Sequence, residues 1–129
     1  EMGSAELDSM VAELQRRGQF SDSVVRSRAA AAAAACEAAR LQVYRVVDGR
    51  ARGAAPGNES NLARVAVVAA EQAVTDFGMD FLPDGFSGSD HMSRLSQHER
   101  AIVTGIAAGA AEIQLNLVAR RHLNLPKGT

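Results

Sequence analysis

The chain has 129 residues, 47% of them apolar, and a formal net charge of −1, which suits one domain with a packed core. Its basic and acidic residues are interspersed, which excludes the basic stripe that a nucleic-acid surface needs against phosphates, and it has no run of about 18 apolar residues from which a membrane-spanning helix is built. One cysteine, Cys36, allows no intrachain disulfide, and no charged-apolar-cleavage pattern stands at the start, so the expected setting is the reducing cytoplasm.

Four helices are predicted in chain order, near 5–17, 22–52, 59–78 and 94–123, separated by Gly and Pro punctuation. In the first, Leu7, Met10, Val11 and Leu14 recur at helical spacing, and Gly18 terminates it. Ser21 or Asp22 caps the second. Its apolar stripe, Val25, Ala29, Ala32, Cys36, Ala39, Val43 and Val46, alternates steps of four and three, which puts all seven on one face. The unbroken alanines from Ala29 to Ala35 fit either plain helix propensity or close packing of a neighbouring helix. Gly49 and Gly53 end this helix, and Pro56, Gly57 and Asn58 make the turn.

The third helix turns Leu62, Val65, Ala69 and Ala73 inward and ends at Gly78, with Pro83 preventing its return. Residues 79–92, rich in Gly, Asp and Ser, form a loop. Ser96 followed by Glu99 fits a capping box for the fourth helix, whose stripe is Ile102, Ile106, Ala110, Ile113 and Leu117, and Pro126 closes the domain. With no strand-like alternation and short connections, the expected fold is all-α: an antiparallel four-helix bundle filling residues 1–129 as a single domain. Its core is built from Ala, Val, Leu and Ile, because aromatics make up only 4% of the chain. Every basic residue except Lys127 is arginine, a composition expected of a GC-rich bacterial genome.

The segment from Gly105 to Gly128, GIAAGAAEIQLNLVARRHLNLPKG, carries a more specific signal. It resembles the closing motif of acyl-CoA dehydrogenases, Ile-x-x-Gly-Thr-x-Glu-Ile-Gln, then Asn-x-x-Ala-Arg, then Leu-x-Leu-Pro. Ile106, Gly109, Glu112, Ile113, Gln114, Asn116, Ala119, Arg120, Leu123, Leu125 and Pro126 match it in one register. Upstream, Ser60 to Val65 is similar to the family's Ser-x-x-Ala-Lys-Leu, and Glu71 to Gly78 to its alanine-rich helix leading to a glycine turn.

The resemblance implies the C-terminal helical domain of a flavoenzyme of fatty acid or sterol catabolism. In the whole enzyme a carboxylate takes the α proton of an acyl-CoA while the β hydride passes to FAD, giving the 2,3-enoyl-CoA. FAD lies where this domain, a central β domain and a neighbouring subunit meet. The implied partners are further acyl-CoA dehydrogenase subunits, in a homo- or hetero-oligomer built through this domain, with contacts expected on the third and fourth helices. Nucleic acid and membrane are not expected partners.

The departures from the motif bear on activity. Ala108 stands where many members carry the catalytic Glu, and a methyl group accepts no proton, so no catalytic residue is expected in this chain. Ala110 replaces the family's Thr and its hydroxyl. Gly78 and Met79 replace its paired glycines. The cofactor-proximal positions carried over are Gly109, Ala110 and Glu112. Of these, Glu112 reads either as a residue near the nucleotide end of FAD or as a solvated helix charge, while Gln114, two positions on, faces elsewhere and reads as structural. The small residues Ala107 to Ala111 fit either a ligand lying against the backbone or tight helix packing. Arg120 and Arg121 near a helix C-terminus are read as complements to the macrodipole rather than as CoA-phosphate ligands. His91, His98 and His122 show no metal-ligand spacing, so no metal is expected. The isolated chain is accordingly expected to be inactive, as a domain of such an enzyme or as a non-catalytic assembly subunit.

Overall fold

In the computed structural model the described residues are 3–84 and 111–126, and they form four helices with no strand among them. These are α1 (Ser4–Arg16), α2 (Ser23–Ala51), α3 (Glu59–Phe81) and α4 (Ala111–Arg121). The expected all-α class holds. No described helix is long and apolar enough to cross a membrane.

Two glycine stops set the two connections of the α1–α2–α3 path. Gly18 has φ +71°; its N–H bonds Gln15 O at 3.0 Å and the Gln19 N–H bonds Leu14 O at 2.9 Å, so the last carbonyls of α1 are satisfied by a left-handed cap. Gly53, at φ +79°, repeats the arrangement after α2, with its N–H on Arg50 O and the Ala54 N–H on Gly49 O. Gly49 itself lies inside α2 and does not help to end it. Between the two stops, Asp22 is the N-cap: its carboxylate accepts the Val24 N–H at 2.7 Å.

α1 buries Leu7, Met10 and Leu14, as the periodicity predicts, with Val11 packed at the margin. It runs antiparallel to α2. Leu14 near its end lines the same concavity as Val25, while a Cβ added to Gly3 before its start would sit 3.6 Å from Cys36 Sγ and 3.2 Å from Val74 Cγ2. α2 and α3 are antiparallel as well, since Arg28 near the start of α2 pairs with Asp80 near the end of α3.

The expected stripe on α2 is correct for Val25, Ala29, Ala32, Cys36 and Ala39, which are buried. It fails at Val43, which is exposed, and weakens at Val46, which is half-buried. Length explains this. α1 has 13 residues and α2 has 29, so α1 covers α2 only as far as Cys36. Val43 continues the Cys36 row past the beginning of α1, whereas Gln42, Val46 and Gly49 lie on the flank that turns toward α3 and stay half-buried.

α3 departs from expectation in register and in length. Ala69 is exposed, and Leu62, Val65 and Ala73 are half-buried; the buried row is Ala63, Ala70, Val74 and Phe77. In a segment this rich in Ala and Val several faces are apolar, and the two aromatic rings decide which one turns inward. Phe77 and Phe81 pack with ring centroids 5.1 Å apart. Gly78 is a buried interior residue of α3, not its terminator, so Met79, Asp80 and Phe81 belong to the helix and not to a loop. A glycine inside a helix costs only about 1 kcal/mol, less than burial of Phe77 and Leu82 returns. The stop comes from Pro83, which forces Leu82 out of helical geometry to φ −135°, ψ 52°.

α4 packs on α3 and buries Gln114 and Val118. Ile113, expected inward, is exposed, and Leu117 is half-buried. The face turned to α3 is thus about a quarter-turn away from the one the apolar pattern picks out. Ile102, Ile106 and Ala110, and the capping box at Ser96, lie outside the described residues. The core has Phe77, Met10, Leu14 and Leu82 at its centre, where α1, α2 and the end of α3 converge.

Candidate functional site

The cofactor-proximal positions picked out by the sequence fall in α4 and in the stretch of sequence before it. Ala108, Gly109 and Ala110 lie outside the described residues. Glu112 is described: its carboxylate is exposed on α4, while Gln114, two positions on, is buried. A separation of two residues turns side chains about 200° apart, so one faces solvent and the other the bundle. Glu112 is therefore open to a ligand or a neighbouring domain, and Gln114 is part of the packing. Arg120 and Arg121 are exposed in the last turn of α4, where cations complement the helix dipole. His122 follows them, also exposed.

Two concave regions formed by described residues lie at opposite ends of the bundle. One, between the α1–α2 turn and the end of α3, is lined by Leu14, Ser21, Asp22, Val25, Asp80 and Phe81 among others. The other, between the end of α2 and the start of α3, is lined by Arg45, Asp48, Arg50, Gly57, Glu59 and Ser60 among others. Neither draws on α4, so Glu112 is not part of either. Among the described residues no group of three His, Cys, Asp or Glu side chains is placed to hold a metal ion.

One electrostatic cluster among the described residues was missed by sequence reading. Glu13 is buried on α1 and accepts from Arg16 Nε at 2.9 Å, Arg16 Nη2 at 2.5 Å and Arg17 Nε at 2.7 Å. These hydrogen bonds, Arg16's first, hold its carboxyl down at about 2, and Glu13 in turn raises Arg16. The spacing of three and four residues was visible in the sequence; the burial of the carboxylate was not. A carboxylate so committed to two guanidinium groups is a poor proton acceptor and serves to hold the end of α1.

Cys36 is buried, and its thiol is pushed above the usual range first by burial and then by the Asp8 carboxylate. That disfavours the thiolate, so Cys36 is a small hydrophobe of the core rather than a nucleophile.

The family model described as "Acyl-CoA dehydrogenase, C-terminal domain" matches residues 2–123. No curated protein and no solved structure matches the chain.

Proposed function

The chain belongs to the acyl-CoA dehydrogenase C-terminal-domain family, and on that premise we propose that it is the FAD-proximal and assembly domain of an acyl-CoA dehydrogenase-like flavoprotein. The observation that carries this reading is the family match over residues 2–123, which spans all four described helices. Residues 1–129 act as one helical domain in this reading, in a cytoplasmic, reducing setting that suits the free thiol of Cys36.

When bound, FAD would supply the hydride acceptor for oxidation of an acyl-CoA to the 2,3-enoyl-CoA. This chain's own share is more limited. Glu112, exposed on α4, can accept hydrogen bonds from a polar part of the cofactor, and Gly109 with Ala110 would let the backbone approach it. Neither of the two concave regions formed by the described residues includes Glu112, and in this reading the wall around a flavin is supplied by other domains of the enzyme. Ala108 provides no base, so the proton must also be taken by a group that is not at this position.

A second reading follows from Ala108 in particular: the chain is a non-catalytic assembly subunit of a hetero-oligomeric acyl-CoA dehydrogenase, whose base lies on its partner.

The test is to purify the chain alone, record its visible spectrum and assay acyl-CoA-dependent reduction of an artificial electron acceptor. A colourless, inactive protein is expected, and Ala108→Glu should not activate it. Activity that appears only on mixing with a dehydrogenase subunit that keeps its Glu supports the assembly-subunit reading. A yellow chain with steady turnover alone overturns both.

A further inference from the structure

The last turn of α3, Gly78, Met79, Asp80 and Phe81, is built from residues that do little to hold a helix together. Glycine is the poorest helix former after proline. The Asp80 carboxylate sits at the negative end of the helix dipole, where an anion is disfavoured. α1, α2 and α4 each carry arginine in the last turn, and α3 carries no basic residue there.

The missing cation comes from another helix. Arg28 of α2 pairs with Asp80 and lies over the ring of Phe81. One guanidinium thus offsets the wrong-sign carboxylate and holds the residue after it. The turn is anchored on either side of this grip. Gly78 and Leu82 are buried, and the Leu82 N–H closes the turn on Gly78 O at 2.9 Å. Between these anchors Met79 and Phe81 are half-buried and Asp80 is exposed. Phe81 also leans on Phe77, which is part of the core.

The residues that Arg28 holds are also a wall. Asp80 and Phe81 line the concavity beside the α1–α2 turn together with Leu14 and Val25, both buried. Val25 stands one turn before Arg28 on α2, so the grip lies at the edge of the concavity.

We propose that Arg28 is a latch on this concavity. While it holds Asp80 and Phe81, the last turn of α3 stays helical and the wall is closed. On release, residues 79–81 unwind between the buried anchors Gly78 and Leu82, and the concavity opens toward Val25. The grip is a half-exposed ion pair and a ring contact, so salt loosens it. The inference concerns this end of the bundle and does not rest on the proposed function.

The experiment follows amide hydrogen exchange in the full chain by NMR. In the parent, the Leu82 amide should exchange faster than the amides of residues 63–74 in the middle of α3. Its exchange should depend little on urea below the unfolding transition, as a local opening does. Arg28→Ala should speed the Leu82 amide about threefold to tenfold. Adding Asp80→Asn to Arg28→Ala should slow it again, because the unpaired carboxylate is then gone from the helix end. Val25→Cys in a Cys36→Ala background reports on the concavity: its reaction with a thiol reagent should be slow, and Arg28→Ala should speed it by a similar factor. Circular dichroism checks that each variant is folded. A Leu82 amide protected as strongly as the middle of α3, exchange unchanged by Arg28→Ala, no slowing by the added Asp80→Asn, or labelling at position 25 that does not follow the exchange would each overturn the proposal.

Discussion

Arg28 and Asp80, 52 positions apart, form an ion pair at 2.5 Å that ties the start of α2 to the end of α3, and the same guanidinium lies 5.7 Å from the centroid of the Phe81 ring. One side chain thus contacts both the last charged and the last aromatic residue of α3. Both charged partners are about half exposed, so the ion pair is worth little in itself and the ring contact adds a comparable amount. Arg28→Ala should destabilise by about 1 kcal/mol in urea unfolding, and raising salt should shrink the difference between variant and parent. Arg28→Lys should recover only part of it, because an ammonium does not lie flat on a ring.

The Glu13 cluster predicts an acid-sensitive α1. The carboxyl titrates near 2 in the folded chain and near 4.3 in an unfolded one, so the folded state prefers the ionised form. Its contribution is complete above about pH 5 and is lost as pH falls toward 2. Glu13→Gln should lower stability at pH 7 and flatten the pH dependence between 5 and 2, measured by circular dichroism melts. An unchanged acid limb in the variant would mean that other carboxylates govern acid unfolding.

Cys36 should react slowly with a disulfide reagent in the native state, because its thiol is buried and its thiolate is disfavoured by burial and by Asp8. Labelling should accelerate by orders of magnitude in denaturant. Asp8→Asn removes the smaller of the two influences and should leave native labelling slow. Fast labelling of the folded parent would place Cys36 outside the core.

A pair of truncations checks where the core ends. Phe77→Ala removes a fully buried ring and should cost about 3–5 kcal/mol. Val43→Ala, on the same helix stripe as Cys36 but beyond the reach of α1, should cost less than about 0.5 kcal/mol. Comparable losses at the two sites would show that something covers Val43 in solution.

What could be read from the sequence depended on whether a signal was local. Gly18, Gly53 and Pro83 act on their own backbone neighbours, so two of the three helix ends they mark were readable, and the third was obscured only by taking Gly78 for the stop. The opposite exposure of Glu112 and Gln114 followed from their spacing alone. The exposure of Val43 did not, because it depends on where α1 begins relative to α2, a relation between segments about forty residues apart. The register of α3 was hidden for another reason: Ala69 and Ala70 are chemically the same, and only the rings of Phe77 and Phe81 distinguish the faces. Glu13 was passed over because spacing reveals an ion pair but not its depth. Of the candidate cofactor positions, Gly109 and Ala110 lie outside the described residues, and Glu112 alone is placed.

The left-handed glycines Gly18, which ends α1 before the turn into α2, and Gly53, which ends α2, also constrain how α2 can change in length. Each fixes the exit direction of its helix, so α2 is a rod of 29 residues held between set ends. Inserting one residue between Ala39 and Gly49 would turn everything beyond it by about 100° and lift it by about 1.5 Å. Gln42 and Val46 would rotate away from α3, and the hinge into Gly53 would point elsewhere. Only an insertion or deletion of about seven residues, two full turns, would bring the rows back into phase. Lengthening in this half of the helix should therefore occur in whole pairs of turns, while the connection from Gly53 to Asn58 can absorb single residues.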